Sequence, residues 1–192
     1  MLDLITQLYA SGRTVFSFKD IAIISCVTQA DLLTKRLYYY CKQGQLKQLR
    51  RGLYALNASY DHKELACKIY KPSYISSYTV LTQAGIVFQY HPEINLISYL
   101  RRELTIDGQV YKLHKIHSDI STNPKGISIK NNYSIASTER ALLDTMYLIP
   151  NAYFDNLDPI NWDKAYELTE IYSNKSLTRR LDTQYKHYQE NL

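Results

Sequence analysis

Two helix-start signals eleven residues apart, Phe16-Ser17-Phe18-Lys19-Asp20-Ile21 and Val27-Thr28-Gln29-Ala30-Asp31-Leu32, constrain this chain more than any other feature. In the first, Ser17 caps a helix, Asp20 returns the bond, and Phe16 and Ile21 form the apolar staple. Thr28 takes the capping place in the second. The interval leaves room for a helix of about seven residues and a tight Ser25-Cys26 turn, which is helix-turn-helix geometry. Before it, Leu2, Ile5, Leu8 and Tyr9 recur with helical period up to Ser11-Gly12, so a first helix is predicted over about residues 2 to 10. A third helix is predicted from Gln29 to about Gln43, where Gly44 supplies a left-handed stop.

On that third helix, Ala30, Leu33, Leu37, Tyr40 and Cys41 share one side, which is expected to face the core. Opposite lie Thr28, Asp31, Lys35, Tyr38, Tyr39 and Lys42, with Arg36 on the flank. Lys35, Arg36 and Lys42 are donors suited to phosphates or base edges, and Gln29 suits an adenine edge. Asp31 is expected to cap the helix or to accept from a cytosine amino group. Leu46-Lys47-Gln48-Leu49 and Leu53-Tyr54-Ala55-Leu56 then read as two short strands around Arg50-Arg51-Gly52, with the glycine supplying positive φ. A hairpin directly after a recognition helix is a wing, and its arginines are expected at phosphates or in a narrow minor groove. The candidate DNA-contacting residues are thus Thr28, Gln29, Lys35, Arg36, Tyr39, Lys42, Lys47, Arg50 and Arg51.

The charge distribution agrees with that placement. Residues 1 to 60 hold eight bases against three acids, whereas the remaining residues hold fifteen of each, so the whole excess of +5 belongs to the first sixty. A basic module joined to a neutral partner is the electrostatic footprint of nucleic-acid binding. Cys26, Cys41 and Cys67 are odd in number and read as small core residues of a reduced, intracellular protein. The N-terminus has no basic leader pattern, and no apolar run approaches the roughly 18 residues of a membrane span, so a cytoplasmic protein is expected.

The second part reads as an α+β unit. A short helix is predicted over His62 to Ile69, ending at Lys71-Pro72, and a serine-capped helix over Tyr74 to Gly85. Strands are predicted over Asn95–Leu100, Glu103–Asp107, Gln109–Ile116, Gly126–Ile129 and Tyr133–Ala136, with a hairpin at Asp107-Gly108. Ser137 caps a further helix that has Glu139 in its first turn, and helices over Asn161–Tyr172 and Ser176–Tyr188 form a tail. The expected fold is α+β: a winged helix-turn-helix domain over 1–58, then 59–192 with a mainly antiparallel sheet and C-terminal helices.

RRGLYAL at the end of the wing, SYTVLTQAGI some twenty residues on, a run of strands and then YSIASTERALLD resemble the AbiEi-like antitoxins of type IV toxin-antitoxin (abortive infection) systems, in order and spacing over about residues 1 to 150. The resemblance implies a winged helix that represses its own operon by binding double-stranded operator DNA. It also implies a C-terminal domain that counteracts a nucleotidyltransferase-like toxin, with or without direct contact. The family motif falls on Ser137, Arg140 and Asp144; Arg140 and Asp144 are i and i+4 on one helix face, and a structural pairing is expected. A monomer or weak homodimer suits an inverted repeat.

No phosphate-cradling glycine motif occurs. His114 and His117 are three apart in a strand setting and face opposite sides, so no metal site is expected there. Neither catalysis nor a cofactor is expected. The alternative in another class is a nucleic-acid-processing nuclease whose winged helix positions substrate, resting on Asp61-His62-Lys63. A third reading is a winged helix that contacts only proteins.

Overall fold

The computed structural model describes residues 3–190; the Leu2 position of the expected first helix lies outside the described residues. Helix α1 (Leu4–Ala10) is capped by Asp3, whose carboxylate accepts from Ile5 N. Helix α2 (Phe18–Ser25) carries the expected reciprocal box of Ser17 and Asp20, and Cys26 turns the chain in the left-handed region at φ 53°. That turn leaves Cys26 exposed rather than in a core. Helix α3 runs from Ala30 to Lys42, and its N-cap is Gln29, with no side-chain cap bond. Thr28 therefore does not cap it: the chain enters the helix one residue later than expected, beyond reach of the threonine hydroxyl. Asp31 does not cap it either, although its charge in the first turn complements the helix dipole.

Strands β1 (Val15–Ser17), β2 (Lys47–Arg50) and β3 (Leu53–Ala55) form an antiparallel sheet in the order β1-β3-β2. Strand β1 was not anticipated, since three residues overlapping a capping box carry no period-two signal. Successive residues of a strand face opposite sides, and here both sides are covered. Phe16, Tyr54 and Leu56 pack with Leu4, Leu8, Ile21, Leu33, Leu37 and Leu46 in a small core. Val15, Leu53 and Ala55 pack instead into the large core of the second part.

That second part begins with helix α4 (His62–Ile69), capped by Asp61. Tyr74 and Ile75, expected in a helix, lie in strand β4 (Ser73–Ile75), and the helix is shortened to α5 (Tyr78–Gln83). Burial decides this: β4 lies inside the sheet between two partners, where an aromatic and a β-branched residue fit. Strands β5 (Ile94–Ser98), β6 (Arg102–Ile106), β7 (Gln109–Lys115), β8 (Ile127–Lys130) and β9 (Tyr133–Ala136) complete six strands in the order β6-β7-β5-β4-β9-β8. The sheet is mainly antiparallel; β5 with β7 and β4 with β9 are its parallel pairs. The Asp107-Gly108 hairpin forms as expected, with φ of 50° and 77° at its two turn residues.

A short helix α6 (Ser118–Ser121) precedes β8. Helix α7 (Thr138–Leu148) starts at Ser137, whose hydroxyl accepts from Arg140 N, and packs against α5, α8 (Trp162–Thr169) and α9 (Lys175–Glu190). A 3-10 turn, Glu170–Tyr172, follows α8. Arg140 and Asp144 are fully buried, with Arg140 Nε 3.5 Å from Asp144 Oδ1. The guanidinium also donates to the carbonyls of Ile120 and Lys125 and to the Tyr74 hydroxyl. Asp144 accepts from the hydroxyls of Tyr74, Ser76 and Tyr172. Burial pushes the Asp144 carboxyl up, opposed first by Arg140 and then by the hydroxyl donors. Gly126, at φ 73°, lies over this helix; a Cβ there would sit 3.0 Å from Arg140 Cβ.

The two parts are joined by polar contacts as well as by the packing of Val15, Leu53 and Ala55 into the large core. Glu64, 1% exposed, accepts from Thr14 N and Oγ1 at 2.8 Å each. Lys68 Nζ lies 3.2 Å from Asp20 Oδ2 and 3.9 Å from Glu64 Oε1. Burial would raise the Asp20 pKa, but the Ser17 backbone and hydroxyl together with Lys68 hold it at about 2.

Asp144→Ala is expected to lower stability by about 3–5 kcal/mol in urea unfolding, because it strands a buried guanidinium. Asp20 supplies a separate, pH-dependent part: its folded pKa lies below the ordinary 3.8, so its contribution is complete above about pH 4 and lost as pH falls toward 2. Thermal melts of Asp20→Asn should therefore lie below wild type at pH 6 and converge on it near pH 2.

Candidate nucleic-acid interface

The outward stripe of α3 is laid down by its core side. Leu33 and Leu37 are buried, so the residues half a turn away project from the protein: Lys35, Arg36 and Lys42 are exposed, Tyr38 is 71% exposed and Tyr39 57%. Thr28, Gln29 and Asp31 are exposed at its start. Ala30, expected on the core side, is also exposed, at the first position of the helix. Tyr40 turns inward, and its hydroxyl donates to Asp3 Oδ1 at 2.9 Å, holding α3 to the cap of α1. Among the described residues, Lys35, Arg36 and Lys42 form no ion pair, and Asp31 is the sole acid in the helix sequence. Uncompensated positive charge beside exposed tyrosine rings can hold an anionic backbone and stack on planar groups.

The β2–β3 hairpin turns through Arg51-Gly52, with Gly52 at φ 78°, and the Gly52 carbonyl accepts from Phe18 N at 2.9 Å. The tip is thereby pinned to the start of α2. Its three bases have different fates. Lys47 forms an ion pair with Asp107 of the β6–β7 turn at 2.5 Å, and Asp107 also accepts from the Tyr60 hydroxyl at 2.9 Å. Lys47 and then Tyr60 hold the Asp107 carboxyl below the usual range. Lys47 is therefore engaged with the protein, contrary to the expectation that it faces a ligand. Arg50, also expected to extend free from the tip, lies over the ring of Tyr70 with its guanidinium carbon 5.5 Å from the centroid. Arg51 is exposed and makes no ion pair among the described residues.

Arg102 at the start of β6 reaches the same tyrosine, 5.8 Å from its centroid, and donates to its hydroxyl at 2.7 Å. Two guanidinium groups, one from each part of the chain, thus share one aromatic ring, and among the described residues no carboxylate pairs with either. The Tyr70 hydroxyl feels this directly: Arg50 lowers its pKa below the ordinary tyrosine value, burial opposes that, and Arg102 adds to the lowering. Tyr70 and Arg102 carry no local sequence signal, because they meet the hairpin through contacts between residues 20 or more positions apart.

The remaining expected residues lie elsewhere. Arg140 and Asp144 are inaccessible within α7, and Ser137 caps that helix. His114 bonds Asn95 Oδ1 at 2.9 Å, and Asp61 accepts from Lys63 N at the start of α4. No group of three metal-ligating side chains converges among the described residues. No helix among them is long and apolar enough to cross a membrane. Set against models of known protein families and against curated proteins, the sequence matches none.

A spectrophotometric pH titration should reveal one tyrosine ionising ahead of the rest. Tyr70→Phe should remove that phase, and Arg50→Gln should move it upward; a titration unchanged by both substitutions would show that the ring does not sit between the two guanidinium groups.

Proposed function

We propose that this protein is a DNA-binding autorepressor and antitoxin of the AbiEi-like, type IV toxin-antitoxin kind. In this reading the first 58 residues act as a winged helix-turn-helix on double-stranded operator DNA. Residues 59–192 form the domain that counteracts a nucleotidyltransferase-like toxin in the cytoplasm, with or without touching it, and the protein works as a monomer or weak homodimer. It is not an enzyme and needs no cofactor.

The observation that carries the reading is the uncompensated charge on α3 and the hairpin: Lys35, Arg36, Lys42 and Arg51 are exposed, with no carboxylate within ion-pair distance among the described residues. Such charge is unfavourable to the isolated protein and becomes favourable when each base displaces a condensed counterion from a duplex. The Arg50–Tyr70–Arg102 stack supports a DNA-facing surface that continues past the wing onto β6. For the nuclease alternative, Asp61 is the key acid, and its carboxylate already satisfies a backbone N–H at a helix start. The binding reading is the better supported of the two.

Binding to DNA from the region upstream of the gene, followed by fluorescence anisotropy across a salt series, tests it. Each base at a phosphate contributes roughly 0.9 to the slope of log K against log salt. Lys35→Ala with Lys42→Ala should therefore flatten the slope by about 2, Arg50→Ala with Arg51→Ala by about 1 to 2, and Arg102→Ala by about 1. Lys47→Ala should change it least. Slopes indifferent to both double substitutions, or no binding at low salt, would refute the proposal.

A further inference from the structure

Two stretches of this basic protein, residues 72–100 and 141–163, contain no lysine or arginine, and the fold fastens them together. Ile86 accepts at its carbonyl from Asp155 N (2.9 Å) and Asn156 N (3.2 Å), while Asp155 Oδ2 accepts from Phe88 N at 2.8 Å. The paired segments turn their aromatic side chains outward: Phe88 is 69% exposed, Tyr90 79% and Tyr153 75%. Beside them a cavity of about 380 Å³ is bordered by Tyr153, Asp155 and Asp158 on one side and by Tyr188 of α9 on the other. Neither Asp155 nor Asp158 is in an ion pair among the described residues. On the α9 side His187 also lines the cavity, and Arg180, one turn before Gln184, donates to the carbonyls of Met146 and Ser176.

Exposed rings of this size are costly in water and are the residue types that anchor protein interfaces. The charge around them selects the partner. A surface with two unpaired carboxylates and no lysine or arginine in its two building segments repels nucleic acid and attracts cations, and tyrosine faces add a cation–π contribution for guanidinium or ammonium groups.

We propose that the face built by residues 86–92 and 149–158 is a docking surface for a protein that is itself basic, with an arginine or lysine of that partner entering the cavity between Tyr153, Asp158 and Tyr188. This inference is independent of the DNA-binding reading. It places a protein partner on the second part of the chain by opposite charge.

Trp162, the only tryptophan, provides the readout, since its ring lies 5.4 Å from that of Tyr188. The full-length protein is titrated at low salt with an acetylated, amidated hexa-arginine peptide, and Trp162 emission is followed. A saturable change is expected, weakened about tenfold in Asp158→Asn with Tyr153→Ser, and retained in Lys35→Ala with Lys42→Ala. No saturable change, or equal affinity in the Asp158→Asn, Tyr153→Ser variant, overturns the proposal. Spermine binding as tightly as the peptide would assign the cavity to a small polycation and overturn protein docking. Self-association in sedimentation at the same salt, lost in the same variant, would assign the face to a second copy of this chain and equally overturn it.

Discussion

The second part of the molecule is organised around one buried ion pair. Arg140 and Asp144 face each other from adjacent turns of α7 with no solvent access, and every group they contact belongs to a different piece of the chain: Tyr74 and Ser76 at β4, the carbonyls of Ile120 and Lys125 ahead of β8, and Tyr172 after α8. A charge pair without such donors and acceptors would not repay the desolvation of its members. With them, one helix fixes the relative positions of sheet, loop and tail. Gly126 completes the arrangement, because its missing side chain lets that loop approach the Arg140 stem.

A second constraint governs the first part. Two strands of the small sheet have no solvent face: β1 and β3 send alternate side chains into two cores, while β2 at the edge is largely exposed. The β2–β3 hairpin is consequently an extension of a strand that both cores hold, and not a free arm. This explains why Lys47 and Arg50 find partners across the joint in Asp107 and Tyr70, while Arg51 at the turn itself does not. The neighbouring domain thereby sets the attitude of the hairpin.

The local signals were legible in the sequence. The Ser17–Asp20 box, the Ser137 cap, the Asp107-Gly108 and Arg51-Gly52 turns and the outward stripe of α3 all rest on interactions between residues a few positions apart, and each forms as read. The illegible features are those set by distant partners. β4 was read as helix because the pull of β5 and β9 on Tyr74 and Ile75 leaves no local trace, and Thr28 matched a cap whose helix begins one residue too late. The Arg50–Tyr70–Arg102 stack belongs to the same class. At the candidate interface, sequence identified the bases, and only the fold showed which of them the protein keeps for itself.

The packing of the small sheet into the large core limits how the chain can be divided. Severing the backbone between Leu56 and Asp61 would leave Val15, Leu53 and Ala55 as an apolar stripe on one fragment and remove the matching wall from the other. Each piece would present a wet flank where the intact molecule is dry. The chain is therefore not separable at this joint, and a genomic fusion that kept only the amino-terminal sixty residues would need a substitute for the missing wall.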